Sequence, residues 1–301
     1  MKIEKNQIGQ TVFILFDDPL FDNVWRVGNN WLRKRDPKFL AKLEKFENVP
    51  IEEFDNIYYC YGCQRLEDGC HRSWTMRNKG HQGYTAFVGR TCWAKIFYLH
   101  RAINNLIKHA PSRMPKDLLW TVACKDKKWN VLSKLDFLGK TYLDVGSQSG
   151  YSAFMGWNRG AIEVVGVELR KEIFDIAERM KGILNANEIT FYNADWLGVK
   201  DRFDKFDIVS CMGLMHYFKH EDYETILDDL CKKALHTLIL ELRVKDCGAA
   251  YFVTQNQTLI AVDYLERFVM DRGFKIINKV DIPQRHASTP GKRGLWIMEK
   301  I

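Results

Sequence analysis

Tyr142-Leu143-Asp144-Val145-Gly146-Ser147-Gln148-Ser149-Gly150 is the stretch on which the fold turns. An apolar run ends in an acid and two glycines. About twenty residues later Val165-Gly166-Val167-Glu168 closes a second apolar run with another carboxylate. The pattern predicts a strand, a glycine turn, a helix and a second strand. Backbone bare of side chains can approach a nucleotide at the first turn, and a carboxylate at the next strand end can accept from both ribose hydroxyls. A nucleoside-containing cofactor is therefore expected in the C-terminal half.

Outward from that stretch, strands and helices alternate to the C-terminus. Strands are expected at Thr141 to Val145, Glu163 to Val167, Ile189 to Tyr192, Phe206 to Ser210, Thr237 to Glu241, Phe274 to Val280 and Leu295 to Glu299. Helices fit Tyr151 to Asn158, Lys171 to Lys181, Tyr223 to Lys233 and Val262 to Asp271. Apolar strands spaced by amphipathic helices argue a parallel α/β sheet covered on both faces. The last two strands are joined through Pro283 and Pro290 without a helical pattern, so an antiparallel end to the sheet is expected.

In such a sheet the ligands sit at the carboxyl ends of the strands. Those ends carry Asp144-Gly146-Gly150, Glu168, Asn193-Ala194-Asp195-Trp196 and the segment Ser210 to Tyr217. Over residues 140–300 this arrangement resembles the class I S-adenosylmethionine-dependent methyltransferases, which implies a Rossmann-like domain. The resemblance implies that Asp144, Gly146, Ser147 and Gly150 form the turn around the methionine portion and that Glu168 takes the ribose. It also implies that Asp195 meets the adenine amino group with Trp196 near the ring, and that Cys211 lines the site from the fourth strand. One position departs from the family: Gln148 stands where a middle glycine is usual. The same sheet can hold NAD, but a clean G-x-G-x-x-G is missing.

A sulfonium methyl donor carries its own activation, so the protein has mainly to align donor and acceptor and exclude water. His216 is the candidate base, because a neutral imidazole titrates near working pH, and Tyr217 stands beside it. Tyr217, Arg243 and Gln284-Arg285-His286 are candidates to hold a polar or anionic acceptor. The opposing view of His216 is a packed helix-start residue in a reaction that needs no base. The Met212-Gly213-Leu214-Met215-His216 loop resembles those of tRNA wobble-uridine methylases and of small-molecule and sugar methylases.

The first part of the chain reads differently. Strands are expected at Thr11 to Phe16, Ile57 to Tyr61 and Tyr84 to Val88. Helices are expected at Pro37 to Phe46, His71 to Asn78, Cys92 to His109 and Trp129 to Leu138, with Ala110-Pro111-Ser112-Arg113-Met114-Pro115 as a linker. Domains are thus expected over 1–115 and 116–301. Cys60, Cys63, Cys70, His71 and Cys92 invite a zinc reading, but adjacent Cys70 and His71 are awkward for tetrahedral ligation and no second C-x-x-C closes the site. No metal site is expected there. Arg65-Leu66-Glu67-Asp68-Gly69-Cys70-His71-Arg72, with Gly80 and a following strand, instead resembles the ParB/sulfiredoxin-like fold, whose sulfiredoxin members carry a Gly-Cys-His-Arg signature.

That resemblance implies a small α+β domain binding a nucleotide or phosphate at Gly69, Cys70, His71 and Arg72. Helix-start N–H groups favour an anion, and a guanidinium grips two of its oxygens. Glu67 or Asp68 would then activate a hydroxyl, or hold Mg²⁺ if ATP is bound. In a sulfiredoxin Cys70 would be the nucleophile, a role hard to join to methyl transfer.

Charge is unevenly placed along the 301 residues. Residues 1–135 hold 23 Lys and Arg against 14 Asp and Glu, and the remainder 22 against 24. A basic first part suits a phosphorylated substrate, a nucleotide or RNA, and equally a solvated basic face. No apolar run approaches the roughly 20 residues that span a bilayer, and the opening residues do not form a signal peptide, so a cytoplasmic protein is expected. The resulting expectation is an enzyme that methylates a polar small molecule or sugar, phosphorylated or not, with an ATP-dependent kinase or nucleotide-binding domain in front. Methylation of tRNA or another nucleic acid is the alternative, since a basic surface can track a phosphate backbone. A ligand-sensing or scaffolding role without catalysis is the other.

Overall fold

The computed structural model describes residues 4–15, 57–62, 65–68, 76, 79–91, 131–132, 134–245, 249–254, 257–282 and 292–301. The chain divides into two compact units, Met1–Phe97 with Asn158–Gly160, and Tyr98–Trp157 with Ala161–Ile301.

The first unit is built on β1 (Thr11–Leu15), β2 (Ile57–Cys60), β3 (Arg65–Asp68) and β4 (Gly83–Gly89), in the order β1-β4-β2-β3. Register explains its core. Val12 stands opposite Ala86 and Ile14 opposite Tyr84, while on the other flank Ile57 pairs with Ala86 and Tyr59 with Val88. Opposed residues share a face, so period-two alternation stacks these side chains into one buried layer, joined by Ile8. β2 and β4 run parallel, which requires a crossover between them. The helix expected at His71 to Asn78 falls there, and within it only helical Met76 is described. The helices expected at 37–46 and 92–109 and the linker at 110–115 lie outside the described residues. Of the helix expected at 129–138, Val131 and Leu132 are helical, but residues 134–138 are turns and irregular chain, so it does not run on to Leu138.

Among the described residues the second unit is one nine-stranded sheet. Its strands are β5 (Thr141–Val145), β6 (Glu163–Glu168), β7 (Ile189–Asn193), β8 (Phe206–Met212), β9 (Ala234–Val244), β10 (Tyr251–Val253), β11 (Thr258–Ile260), β12 (Phe274–Ile282) and β13 (Lys292–Lys300). From one edge the order is β7-β6-β5-β8-β9-β13-β12, parallel as far as β9. β13 then runs antiparallel to both β9 and β12. The antiparallel end expected from the proline loop is therefore present. Continuous apolar runs identify the strands covered on both faces: Tyr142 to Val145, Val164 to Glu168 and Ile208 to Met212 are all buried.

The helices are α1 (Tyr151–Asn158), α2 (Lys171–Leu184), α3 (Trp196–Val199), α4 (His220–Lys233) and α5 (Val262–Met270). α2 buries Ile173, Ile176, Ala177, Met180 and Leu184, the three-and-four spacing of one helical face, and ends on Asn185 in the left-handed region at φ 53°. α4 buries Tyr223, Ile226, Leu227, Leu230 and Cys231 by the same spacing. It opens on Glu221 and Asp222 and closes on Lys232 and Lys233, charges that oppose the helix dipole at each end. At the far side of the sheet two features differ from expectation, and neither the strand β3 nor the short helix α3 was expected. β9 extends three residues past Glu241, and a hairpin of β10 and β11 follows, β11 meeting β9 at Ile260 and Val244. Strands of three residues are too short for their alternation to show in the sequence. No helix among the described residues is long and apolar enough to cross a membrane.

Candidate functional site

Strand order brings together what chain order separates. β5 lies between β6 and β8, so the turn after β5 has Glu168 on one side and Ser210 on the other. The turn leaves the strand through Gly146 at φ 75° and enters α1 through Gly150 at φ 78°. The N–H groups of Gly146 and Ser147 both donate to the Val167 carbonyl, each at 2.9 Å. Neither glycine tolerates a side chain. A Cβ on Gly146 would stand 2.8 Å from Leu214 Cδ2, and one on Gly150 only 2.5 Å from Phe191 Cζ. Gln148, at the family's middle-glycine position, is itself left-handed at φ 50°. Its N–H donates to Glu168 Oε2 at 3.0 Å, so the turn keeps the glycine-like conformation with a non-glycine residue.

Glu168 is 6% exposed. Its Oε1 accepts from the Arg170 N–H at 2.9 Å and from Arg170 Nε at 3.3 Å. With the Gln148 bond, three of the roughly four lone-pair directions of the carboxylate are used, leaving one on Oε2 for a ligand hydroxyl. Asp144 is more deeply set, 2% exposed, and its Oδ1 accepts from Ser210 Oγ at 2.6 Å. Behind it Tyr142 Oη lies 2.7 Å from both Ser210 Oγ and Ser152 Oγ. If Ser210 gives its only proton to the carboxylate, Tyr142 must donate to Ser210 and Ser152 to Tyr142. The chain Ser152, Tyr142, Ser210, Asp144 is thus polarised toward the carboxylate. Burial first, and Asp144 next, push the Tyr142 phenol well above its ordinary range, so it stays a donor.

The other cofactor candidates divide into two groups. Asp195 is exposed and caps α3, its Oδ1 accepting from the Leu197 N–H at 3.3 Å. Trp196, expected beside an adenine ring, instead turns its indole into the core, 2% exposed and stacked on Phe203 at an interplanar angle of 2°. A residue opening a short helix points one way or the other according to packing, which the sequence does not display. Cys211, expected to line the site, is fully buried in the core cluster. Its thiol is raised by burial first and then by Asp144 and Glu241, and remains protonated. Ser147 is 4% exposed with its Oγ packed toward Gly166, where an added Cβ would stand 2.9 Å away.

His216 lies on a single turn, Met215–Tyr217, at the end of β8. It is 2% exposed, and burial followed by the charges of Arg243 and Arg293 lowers its pKa to about 3. Tyr217 is its neighbour at 4.2 Å between ring centroids and is 62% exposed. The sequence reasoning missed two residues here. Glu241, 1% exposed, receives Arg293 Nε at 2.5 Å. Arg293 stands in register with Arg243 across β13 and β9, a pairing legible only once β13 is known to insert beside β9.

In the first unit, β3 ends at Asp68, and the backbone of Glu67 and Asp68 is that of its last two residues. Gly69, Cys70, His71 and Arg72 lie outside the described residues, as do Cys63, Cys92 and the 284–286 segment. Cys60 is buried. No group of three or more metal-ligating side chains occurs among the described residues.

A family model described as a methyltransferase domain matches residues 143–234. No curated protein matches the chain. Among solved structures, the chain is similar to magnesium protoporphyrin IX methyltransferase from Synechocystis PCC 6803 with bound SAM. The identity is 16%, over 67% of this chain and 79% of that one, with a TM-score of 0.45. It is also similar to a putative RNA methyltransferase from Pyrococcus horikoshii, at 19% identity over 68% and 98% of the two chains, TM-score 0.45. A third is the Burkholderia thailandensis 1,6-didemethyltoxoflavin-N1-methyltransferase, at 13% identity over 69% and 88%, TM-score 0.49. On the match that runs from Leu143 in β5 to Ala234 at the start of β9, the C-terminal part of this chain carries a methyltransferase domain.

Proposed function

We propose that the C-terminal domain transfers the methyl group of S-adenosylmethionine to an oxygen or nitrogen of a polar small molecule or sugar. The observation that carries this is the placement of three acids, Asp144, Glu168 and Asp195, at the carboxyl ends of three adjacent strands around a turn closed by Gly146 and Gly150. The donor set fits the ligand. A methionine ammonium, two ribose hydroxyls and an adenine amino group are all hydrogen-bond donors, and these strand ends present acceptors. When bound, the cofactor supplies a methyl group already activated on a sulfonium sulfur.

The chain's own residues have then to bind, orient and exclude water. Glu168, anchored by two backbone N–H groups, offers its remaining lone pair without having to reorganise. Asp144 is fixed by Ser210 and so holds the turn rather than swinging toward a ligand. Asp195 is the exposed acceptor at the start of α3. A base is best matched to working pH, and His216 at about 3 is a poor proton acceptor there. We therefore assign it hydrogen bonding to the acceptor, with exposed Tyr217 at the rim.

The test is calorimetry with S-adenosylmethionine and S-adenosylhomocysteine on the full chain. Wild type should bind both, and Glu168→Ala should weaken binding about tenfold, the worth of a charge-assisted hydrogen bond. Asp144→Ala should do the same through loss of the turn. Unchanged affinity in both variants would remove the cofactor assignment. Labelled methyl donor incubated with cell extract then identifies the acceptor, and methyl groups recovered in tRNA would favour the nucleic-acid alternative.

A second reading concerns the first unit, where we infer a nucleotide or phosphate site at Gly69-Cys70-His71-Arg72. What supports it is that β3 ends at Asp68, so Gly69-Cys70-His71-Arg72 follows a strand's carboxyl end in sequence. ATP with Mg²⁺ is the ligand to try, with Glu67 and Asp68 as the acids nearest in sequence.

A further inference from the structure

His216 is the least accounted-for group in the second unit. It is 2% exposed, yet neither Nδ1 nor Nε2 meets a hydrogen-bond partner. A buried imidazole with both nitrogens unmet is costly and rare, and calls for a partner that arrives with a ligand. Its surroundings name the kind of ligand. Arg243 and Arg293 face one another in register on β9 and β13, so their side chains leave the same face of the sheet. Like charges so placed repel; the buried Glu241 carboxylate already offsets Arg293 through Nε, and an anion reaching the outer nitrogens adds to that relief.

The pair is tied to the His216 turn by contact. Arg293 Nη2 lies over Gly213, where an added Cβ would stand only 2.7 Å away, and Gly213 itself is left-handed at φ 69°. The Gly213 N–H donates to the Glu241 carbonyl at 2.9 Å, fixing the start of the turn on β9. Leu214, the next residue, presses on Gly146, so the turn also abuts the glycine turn of the cofactor strand. Glu241 holds Arg293 by Nε, which leaves the Nη edge of that guanidinium directed at the turn. Arg243 Nη1 donates to Gln257 Oε1 at 2.9 Å, an interaction that positions its guanidinium from β11's side.

We propose that His216, Arg243 and Arg293 form a subsite for an acidic group, a carboxylate or a phosphate, carried by the methyl acceptor. The two guanidiniums bring N–H donors and positive charge to the oxygens of the anion, and the imidazole donates one further hydrogen bond from a neutral ring. Burial and the two arginines keep that ring neutral. Glu241 sets the orientation, because an anion has to sit on the side of Arg293 away from it. The term acceptor rests on the methyltransferase reading above; the anion site itself does not.

The test uses full-length protein with isotope-labelled histidine, the His216 resonance being assigned by its loss in His216→Asn. Sodium phosphate and sodium acetate are titrated separately against sodium chloride at matched ionic strength. Phosphate, acetate or both should shift the His216 signal saturably, and the tighter of the two names the acidic group. Arg243→Gln should weaken that response about tenfold, and Arg243→Lys, which keeps the charge and loses the fork, by a smaller factor. Glu241→Gln combined with Arg293→Gln removes the ion pair without stranding either member and should also weaken it. A His216 signal that answers chloride as it answers phosphate and acetate, or that is indifferent to every arginine variant, overturns the subsite. Binding of S-adenosylhomocysteine, followed in the same samples, reports the methyltransferase reading separately: its absence with anion binding intact condemns that reading alone.

Discussion

Gln148 and His216 each run against their type, one in conformation and the other in charge state. A side chain at φ 50° costs roughly 1–2 kcal/mol against an extended or helical conformation, and glycine escapes that cost while losing more chain entropy on folding. Gln148→Gly should therefore change stability by no more than about 1 kcal/mol in either direction, and keep the N–H bond to Glu168. Gln148→Val, branched at Cβ, should lower the midpoint of thermal unfolding and weaken methyl-donor binding together. Equal stability of the two variants would mean that the left-handed turn is not formed in solution. For His216 the sign follows from its lowered pKa. The unfolded chain takes up a proton near pH 6.5 and the folded one only near pH 3, so stability is full above about pH 6.5 and falls as pH drops through that window. The loss is at most about 1.4 kcal/mol per pH unit. His216→Asn should flatten denaturant-derived stability between about pH 6.5 and 5; parallel pH profiles of variant and wild type would contradict the buried neutral ring.

At the scale of elements, the sheet is held in register around the site by hydroxyl–carboxylate links between neighbouring strands. At the amino ends of β5 and β8, Asp207 Oδ2 accepts from both the N–H and the Oγ1 of Thr141, at 2.8 and 2.9 Å, while Thr141 Oγ1 accepts from the Asp207 N–H. At the carboxyl ends Ser210 performs the same office for Asp144. Ser210→Ala should be destabilising by about 1–3 kcal/mol, because it removes a partner from two buried groups, the Tyr142 phenol and the Asp144 carboxylate. It should also weaken methyl-donor binding without touching any ligand atom. Urea unfolding beside calorimetry checks both; a stability loss with affinity intact would show that the chain through Tyr142 supports the core and not the turn.

For the whole molecule, the division into two units predicts separable behaviour. A ligand that binds only the folded second unit stabilises it by about 2.7 kcal/mol at a hundred times its dissociation constant. S-adenosylhomocysteine should thus raise one unfolding transition in calorimetry. Arg72→Ala should abolish the response to ATP and Mg²⁺ while leaving the homocysteine ligand's effect in place, since sites without shared partners act independently. Loss of both responses in that single variant would instead indicate one shared site.

What the chain determined by itself was local and periodic. The glycine turn, the strand-end acids, the two long amphipathic helices and the antiparallel end are legible because they depend on residues close in sequence or on a period of two or 3.6. The three-residue hairpin strands fall below that period and were invisible. Tertiary structure alone decided the rest. Trp196 and Cys211 carry the right residue types at strand ends, yet packing against Phe203 and against the sheet core turned both inward. Arg293 reached the site only because β13 inserts beside β9, bringing residues 293 and 243 face to face across some fifty positions of chain. Burial is likewise a property of the packed molecule: the same imidazole that a sequence offers as a base near neutrality stays, once enclosed beside two guanidiniums, a neutral ring.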